Sequence, residues 1–203
     1  MKQVVVAGLV IVLAVMSGCS LFRPKAPVMS EQQKHNAWVL KQQQLALIDT
    51  WQFFGRIGVR IPGNSGSLSI EWQQQNEDYT LFLDGLFGQP VAHIKGGPKL
   101  VTAVLNGKKT LTDTDPVRLM YQMTGWQLPV NYLSFWIRGI PVPNLATQVM
   151  LDDQGNSASF QQQGWRVDYH GYQKADSLWM PSRIQIKRDN IQLTLVIRNW
   201  QLG

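Results

Sequence analysis

The chain has 203 residues, 19 lysines or arginines against 13 aspartates or glutamates, a formal net charge of +6 and one cysteine. A single cysteine excludes an intrachain disulfide framework, and the length is that of one ordinary domain able to bury a core without crosslinks. Basic charge admits nucleic acid, anionic lipid headgroups or an acidic protein as partners, while eight tryptophans imply a large aromatic core or an apolar cavity.

Lys2 is followed by an uncharged run from Val4 to Met16, too short to span a bilayer and suited to the apolar centre of a secretory signal. Small residues follow at Ser17 and Gly18, then Cys19. The stretch Val15-Met16-Ser17-Gly18-Cys19 resembles a bacterial lipobox, with Met16 where leucine is usual. That resemblance implies a diacylglyceryl group on the Cys19 thiol, removal of residues 1–18 and acylation of the new amino terminus. An ordinary signal with an incidental buried cysteine is the alternative, and the position of Cys19 at the cleavage point argues against it. By the same resemblance Ser20, where aspartate would mark inner-membrane retention, implies outer-membrane delivery. An exported lipoprotein rarely meets nucleic acid, so headgroups and an acidic protein remain as partners. Residues 19–29 read as a tether with Pro24 and Pro27, and residues 30–203 as one domain.

Ser30 caps a helix expected to run to about Asp49, with Ala37, Trp38, Leu45 and Ile48 on one stripe. From Trp51 the apolar period becomes two, with Phe53, Ile57, Val59 and Ile61 opposite Gln52, Arg56 and Arg60. Pro62-Gly63-Asn64 turns the chain into a second strand carrying Leu68, Ile70 and Trp72. Further strands are expected around Tyr79 to Leu83, Val91 to Lys95, Leu100 to Leu105 and Lys109 to Thr112, the last two joined by Asn106-Gly107. Between the first two of these, Asp84 to Pro90 is a short glycine-flanked connection with Leu86 and Phe87 at its centre. Asp115, Pro116 and Gly125 bracket a helix, and a second short helix spans Val130 to Ile137. Strand-like segments close the chain at Thr147 to Leu151, Ser157 to Gln162, Trp165 to Tyr172 and Arg183 to Trp200, the last interrupted at Asp189-Asn190. The total approaches eleven strands and three helices.

Catalytic signatures do not emerge. His35, His93 and His170 have no metal-ligand spacing, and no phosphate loop, nucleophile elbow or dinucleotide glycine run is present. Asp152 and Asp153 are neighbours and read as turn residues rather than an acid/base pair. The expectation is no enzyme, no metal and no cofactor.

A lipid-anchored antiparallel sheet with helices inserted mid-chain can curl into an open half-barrel whose helices cover the opening. The order of elements resembles the LolB family of outer-membrane lipoprotein receptors. The matching stretches are Trp72-Gln73-Gln74, Tyr79 to Gly88, Trp136-Ile137-Arg138-Gly139-Ile140-Pro141, Gly164-Trp165-Arg166-Val167, Gly171-Tyr172 and Asn199-Trp200. The resemblance implies a mainly β LolA/LolB-like half-barrel that acts as a monomer. It further implies acceptance of acylated lipoproteins from the periplasmic carrier LolA and their release into outer-membrane phospholipid, without nucleotide or metal. Trp72, Leu81, Leu83, Trp136, Trp165 and Trp200 are candidate cavity residues, and simple core packing is the alternative for the tryptophans. The family carries a protruding apolar residue on the Leu86-Phe87 connection, commonly leucine before glycine; here Phe87 precedes Gly88 and Leu86 replaces the usual proline. A loop that tucks Phe87 into the core is the alternative. Two other readings stand beside this one: a binding module for another envelope lipid, which needs the cavity but not the loop, and an enzyme, which needs clustered titratable groups.

Overall fold

The computed structural model describes residues 29–125 and 127–203; the signal segment, Cys19 and the tether up to residue 28 lie outside the described residues. Within that span the chain begins with α1 (Glu31–Ala46), then β1 (Thr50–Ile61), β2 (Asn64–Gln75), β3 (Asp78–Asp84), β4 (Pro90–Gly96), β5 (Val101–Leu105) and β6 (Lys109–Asp113). Two helices follow, α2 (Pro116–Thr124) and α3 (Val130–Ile137). The chain closes with β7 (Val149–Leu151), β8 (Ser157–Gln162), β9 (Trp165–Ala175), β10 (Leu178–Arg188) and β11 (Ile191–Leu202).

All eleven strands form one antiparallel sheet in the order 6, 5, 4, 3, 2, 1, 11, 10, 9, 8, 7. β1 and β11 are therefore neighbours at its centre, and the helical crossover links its two free edges. The half-barrel expected from the element order is what the chain forms. At the β1–β11 seam the register shifts between Phe54 and Gly55, where a Cβ on Gly55 would lie 2.4 Å from the Val196 carbonyl oxygen. Only glycine fits there.

One inward row crosses five strands in register: Phe53, Trp72, Leu81, Ile94 and Ala103, with Trp200 on the other side of Phe53. All six are buried. Trp51, Phe53, Trp72 and Trp200 form an aromatic cluster, Phe53 and Trp200 lying 5.3 Å apart between ring centres.

Helix limits follow from end chemistry. Ser30 caps α1 with a full capping box through Gln33. The helix stops at Ala46, short of the expected Asp49, because the Leu47 and Ile48 amides bond three residues back in a tightened last turn. α2 has Asp115 as its cap and ends on Gly125 at φ 79°. Between Arg183 and Trp200 the expected interruption is a full turn, with Asp189 at φ 51°, so that segment belongs to two strands. β10 also begins earlier, at Leu178, and carries Pro181 at a register shift.

Candidate functional site

The connection between β3 and β4 is a single 3-10 turn, Leu86–Gly88, closed by the Gly85 amide donating to the Gln89 carbonyl at 2.8 Å. Phe87 sits at its tip with φ 61° and ψ 22°, a left-handed conformation that a bulky side chain seldom adopts. Its side chain is 100% exposed, and that of Leu86 is 71% exposed. The turn holds both residues out and does not tuck Phe87 into the core. Such strain is of the order of 1–2 kcal/mol.

Toward the same end of the sheet the concave face is apolar but incompletely covered. Ile70, Leu83, Ala92 and Leu105 form the next inward row, and Leu83 and Leu105 are only half-buried. Ile57, Val59 and Leu111 are half-buried as well, as are Met120 and Met123 on α2, which packs on β5 and β6. Methionines suit a surface that must adapt to a flexible occupant.

The tryptophans are placed differently. Trp136 and Trp165 lie in the packed interior with ring centres 6.4 Å apart. Trp136 Nε1 donates to Gln162 Oε1 at 3.0 Å, the same oxygen accepts the Val142 amide, and Gln162 Nε2 donates to the Val142 carbonyl. Tyr169 adds a hydroxyl bond to the Trp136 carbonyl at 2.6 Å, and burial pushes its phenol well above the ordinary value. Trp200 Nε1 donates to the Pro181 carbonyl, and Trp72 Nε1 to Gln74 Oε1. The indoles of Trp72, Trp136 and Trp200 are each buried and hydrogen-bonded, and Trp165 is buried with the Arg188 guanidinium over its ring, as packed tryptophans are. Leu81 is likewise enclosed, so of the six candidates Leu83 alone stands half open.

Trp72 also borders a cavity of about 780 Å³ at the opposite end, between the end of α1, the β2–β3 turn and the start of α3. Its walls include Asp49, Glu77, Asp115 and Arg138 beside Trp51 and Tyr79, so it is mixed rather than apolar. A larger depression of about 960 Å³ lies over Gln52, Gln73, Thr80 and Lys95, the side of the sheet opposite the inward row.

Arg138 explains one of the sequence motifs. Its guanidinium, buried beside Phe135, donates to the carbonyls of Ser134, Leu45 and Ile48 and so joins α3 to the end of α1. Burial pushes it down to about 10, opposed by Asp49, which leaves it charged at neutral pH. Sequence reasoning missed this role, for which three carbonyl acceptors leave no trace in residue identity. It also missed Lys34, buried on α1 between Glu31 and Asp153 at 3.1 and 3.0 Å. Among the described residues, no three histidine, cysteine, aspartate or glutamate side chains group as metal ligands, and no helix is long and apolar enough to cross a membrane.

An open antiparallel half-barrel of eleven strands with an edge-to-edge helical crossover defines the fold class of the described residues. The same fold is seen in a putative outer membrane lipoprotein-sorting protein domain from Vibrio parahaemolyticus, with a TM-score of 0.52 at 9% identity over 83% of this chain and 93% of that one. The family model described as outer membrane lipoprotein LolB matches residues 49–200. The outer-membrane lipoprotein LolB of Pseudomonas fluorescens is 34% identical over 93% of this chain and 91% of its own. That of Chromohalobacter salexigens is 34% identical over 96% and 89%. The chain belongs to the LolB family and is an outer-membrane lipoprotein of the lipoprotein localisation pathway.

Proposed function

We propose that the chain, anchored through Cys19, accepts acylated lipoproteins from the soluble carrier LolA and releases them into the inner leaflet of the outer membrane. It acts as a monomer and uses no nucleotide, metal or catalytic step. Phe87 carries this reading: a fully exposed phenylalanine held in a strained turn has no packing role. Entering the boundary between headgroups and acyl chains gains roughly 1.5–3 kcal/mol, too little to anchor the protein and enough to hold the concave surface against the leaflet briefly. A module that only bound another envelope lipid would have no use for it.

The cargo acyl chain lies on the half-buried surface that includes Leu83, Met120 and Met123. Trp72, Trp136, Trp165 and Trp200, with Leu81, form the wall behind it. Each methylene taken from water contributes about 0.8 kcal/mol, so a more extensive apolar contact than the carrier offers makes transfer downhill.

The test separates acceptance from delivery. Phe87→Glu should take cargo from LolA at the normal rate and fail to deliver it to liposomes, with Leu86→Glu the milder variant. Normal delivery by Phe87→Glu, or loss of acceptance together with a lowered melting temperature, would overturn the proposal.

A further inference from the structure

We infer that the end of the half-barrel that carries Phe87 is a docking surface for anionic phospholipid headgroups, with Arg60, Lys187 and Arg166 at its centre. This rests on the reading above and deepens it by naming the lipid class that the insertion turn meets.

In an antiparallel meander successive turns alternate between ends. The turn after β1, the Leu86–Gly88 turn and the turn after β5 therefore share one end. Because Arg60 pairs with Gln192 across the seam, the turns before β11 and before β9 join them. That end is basic. Arg60, Gln192, Lys187 and Arg166 stand in one register row across four strands, Lys187 directly opposite Arg166. Like charges set face to face across strands are destabilising, so packing does not account for the row. Lys108 and Lys109 add two exposed cations at the turn after β5, and Arg188 lies over Trp165 at 4.6 Å. The carboxylates at this end are Asp84, Asp168, which pairs with Arg166 at 2.8 Å, and Asp189, 3.9 Å from Arg188. No carboxylate lies within ion-pair distance of Arg60, Lys187, Lys108 or Lys109 among the described residues.

The opposite end has the reverse sign. Asp49, Glu77, Asp78, Asp115, Asp153 and Asp176 are exposed around it. Several of its cations are engaged: Lys34 with Glu31 and Asp153, Arg118 with Asp113, Arg138 with backbone carbonyls. An anionic leaflet therefore attracts one end, repels the other, and turns Phe87 toward itself. A membrane fits better than an acidic protein because the row and the apolar turn share one end of the sheet, and headgroup charge over an acyl boundary matches both parts.

The mature chain carrying Cys19→Ala, without cargo or carrier, is mixed with phosphatidylcholine vesicles with or without one-third phosphatidylglycerol, and bound protein is measured by flotation. Binding should be stronger to the phosphatidylglycerol vesicles and fall as salt rises. Each cation near such a surface is worth about five-fold in partition, so Arg60→Gln with Lys187→Gln should lose on the order of 25-fold. Lys99→Gln with Lys174→Gln, the same charge change at the acidic end, should lose less than about two-fold. The inference is overturned by equal binding to both vesicle types, or by equal losses in the two double variants. It is also overturned if Arg60→Gln with Lys187→Gln binds vesicles normally and slows acceptance from LolA, which would assign the row to the carrier. Failure here with Phe87-dependent delivery intact removes the headgroup surface and leaves the insertion reading standing.

Discussion

Arg138 donates to the carbonyl of Ile48 at 2.6 Å across ninety residues of sequence, and the same Nη1 reaches Leu45 at 2.9 Å. This side chain supplies acceptors left over at the end of α1 with donors, and it places a positive charge where the helix dipole favours one. Arg138→Met keeps most of the apolar stem and strands those carbonyls. We expect a loss of about 2–4 kcal/mol, read as a melting temperature lower by roughly 5–15 °C. Arg138→Lys should recover only part of it, because an ammonium cannot reproduce the planar fork. A change of less than about 2 °C for Arg138→Met would show that water serves those carbonyls equally well.

Strain at Phe87 gives a prediction of opposite sign for stability and function. Asparagine tolerates the left-handed conformation, so Phe87→Asn should hold or raise stability by up to about 1 kcal/mol. Delivery into liposomes should nevertheless be lost. A melting temperature that falls would mean that Phe87 packs against something in solution.

The surface assigned to cargo and the wall behind it separate by substitution. Met120→Trp adds bulk at a half-buried position and should cut acceptance from LolA while costing little stability. Trp136→Phe should do the reverse, removing the bond to Gln162 for a loss of about 1 kcal/mol and leaving acceptance near normal. If Trp136→Phe abolishes acceptance at unchanged stability, the cargo reaches the interior.

Acid should weaken one link between β6 and α2. Arg118 donates through Nε to Asp113 at 2.7 Å, and with the Asp115 amide it holds that carboxyl well below the usual carboxylate range. A carboxyl depressed in the folded state contributes stability in full above its unfolded value of about 3.9 and loses it as pH falls from there toward the folded value. Asp113→Asn should therefore melt lower than the parent at pH 7, and the gap should close below about pH 4. A gap that stays constant with pH would mean that the ion pair contributes nothing and that asparagine disturbs the turn by other means.

Much of this was legible locally. Asn106-Gly107, the Ser30 cap and the Asp115-Pro116 start of α2 act over a few residues, and the chain obeys them. Phe87 could be singled out because an apolar pair on a tight connection conflicts with burial. What sequence could not resolve depends on partners distant along the chain. An indole packed against Gln162 and one facing a cavity have the same neighbours in sequence, so Trp136 fitted either reading. Pro181 hid the first part of β10, because a strand interior seldom admits proline and the register shift that accommodates it is set by β9. The basic end was diffuse in sequence, since Arg60, Arg166 and Lys187 meet only when four strands align.

The seam between β1 and β11 also sets the order in which the protein can be made. Thr50 and Gly203 end up bonded, the Gly203 amide to the Thr50 carbonyl at 3.0 Å, so the middle of the sheet joins the first strand to the last. Contacts this remote in sequence form slowly, and a strand edge that waits for its partner is open to pairing with other chains. A chain entering its compartment amino end first holds β1 with one bare flank until residues 191–202 arrive. Loss of β11 leaves two long edges at the centre of the sheet rather than a slightly shorter half-barrel, so an incomplete copy is open to proteolysis and aggregation.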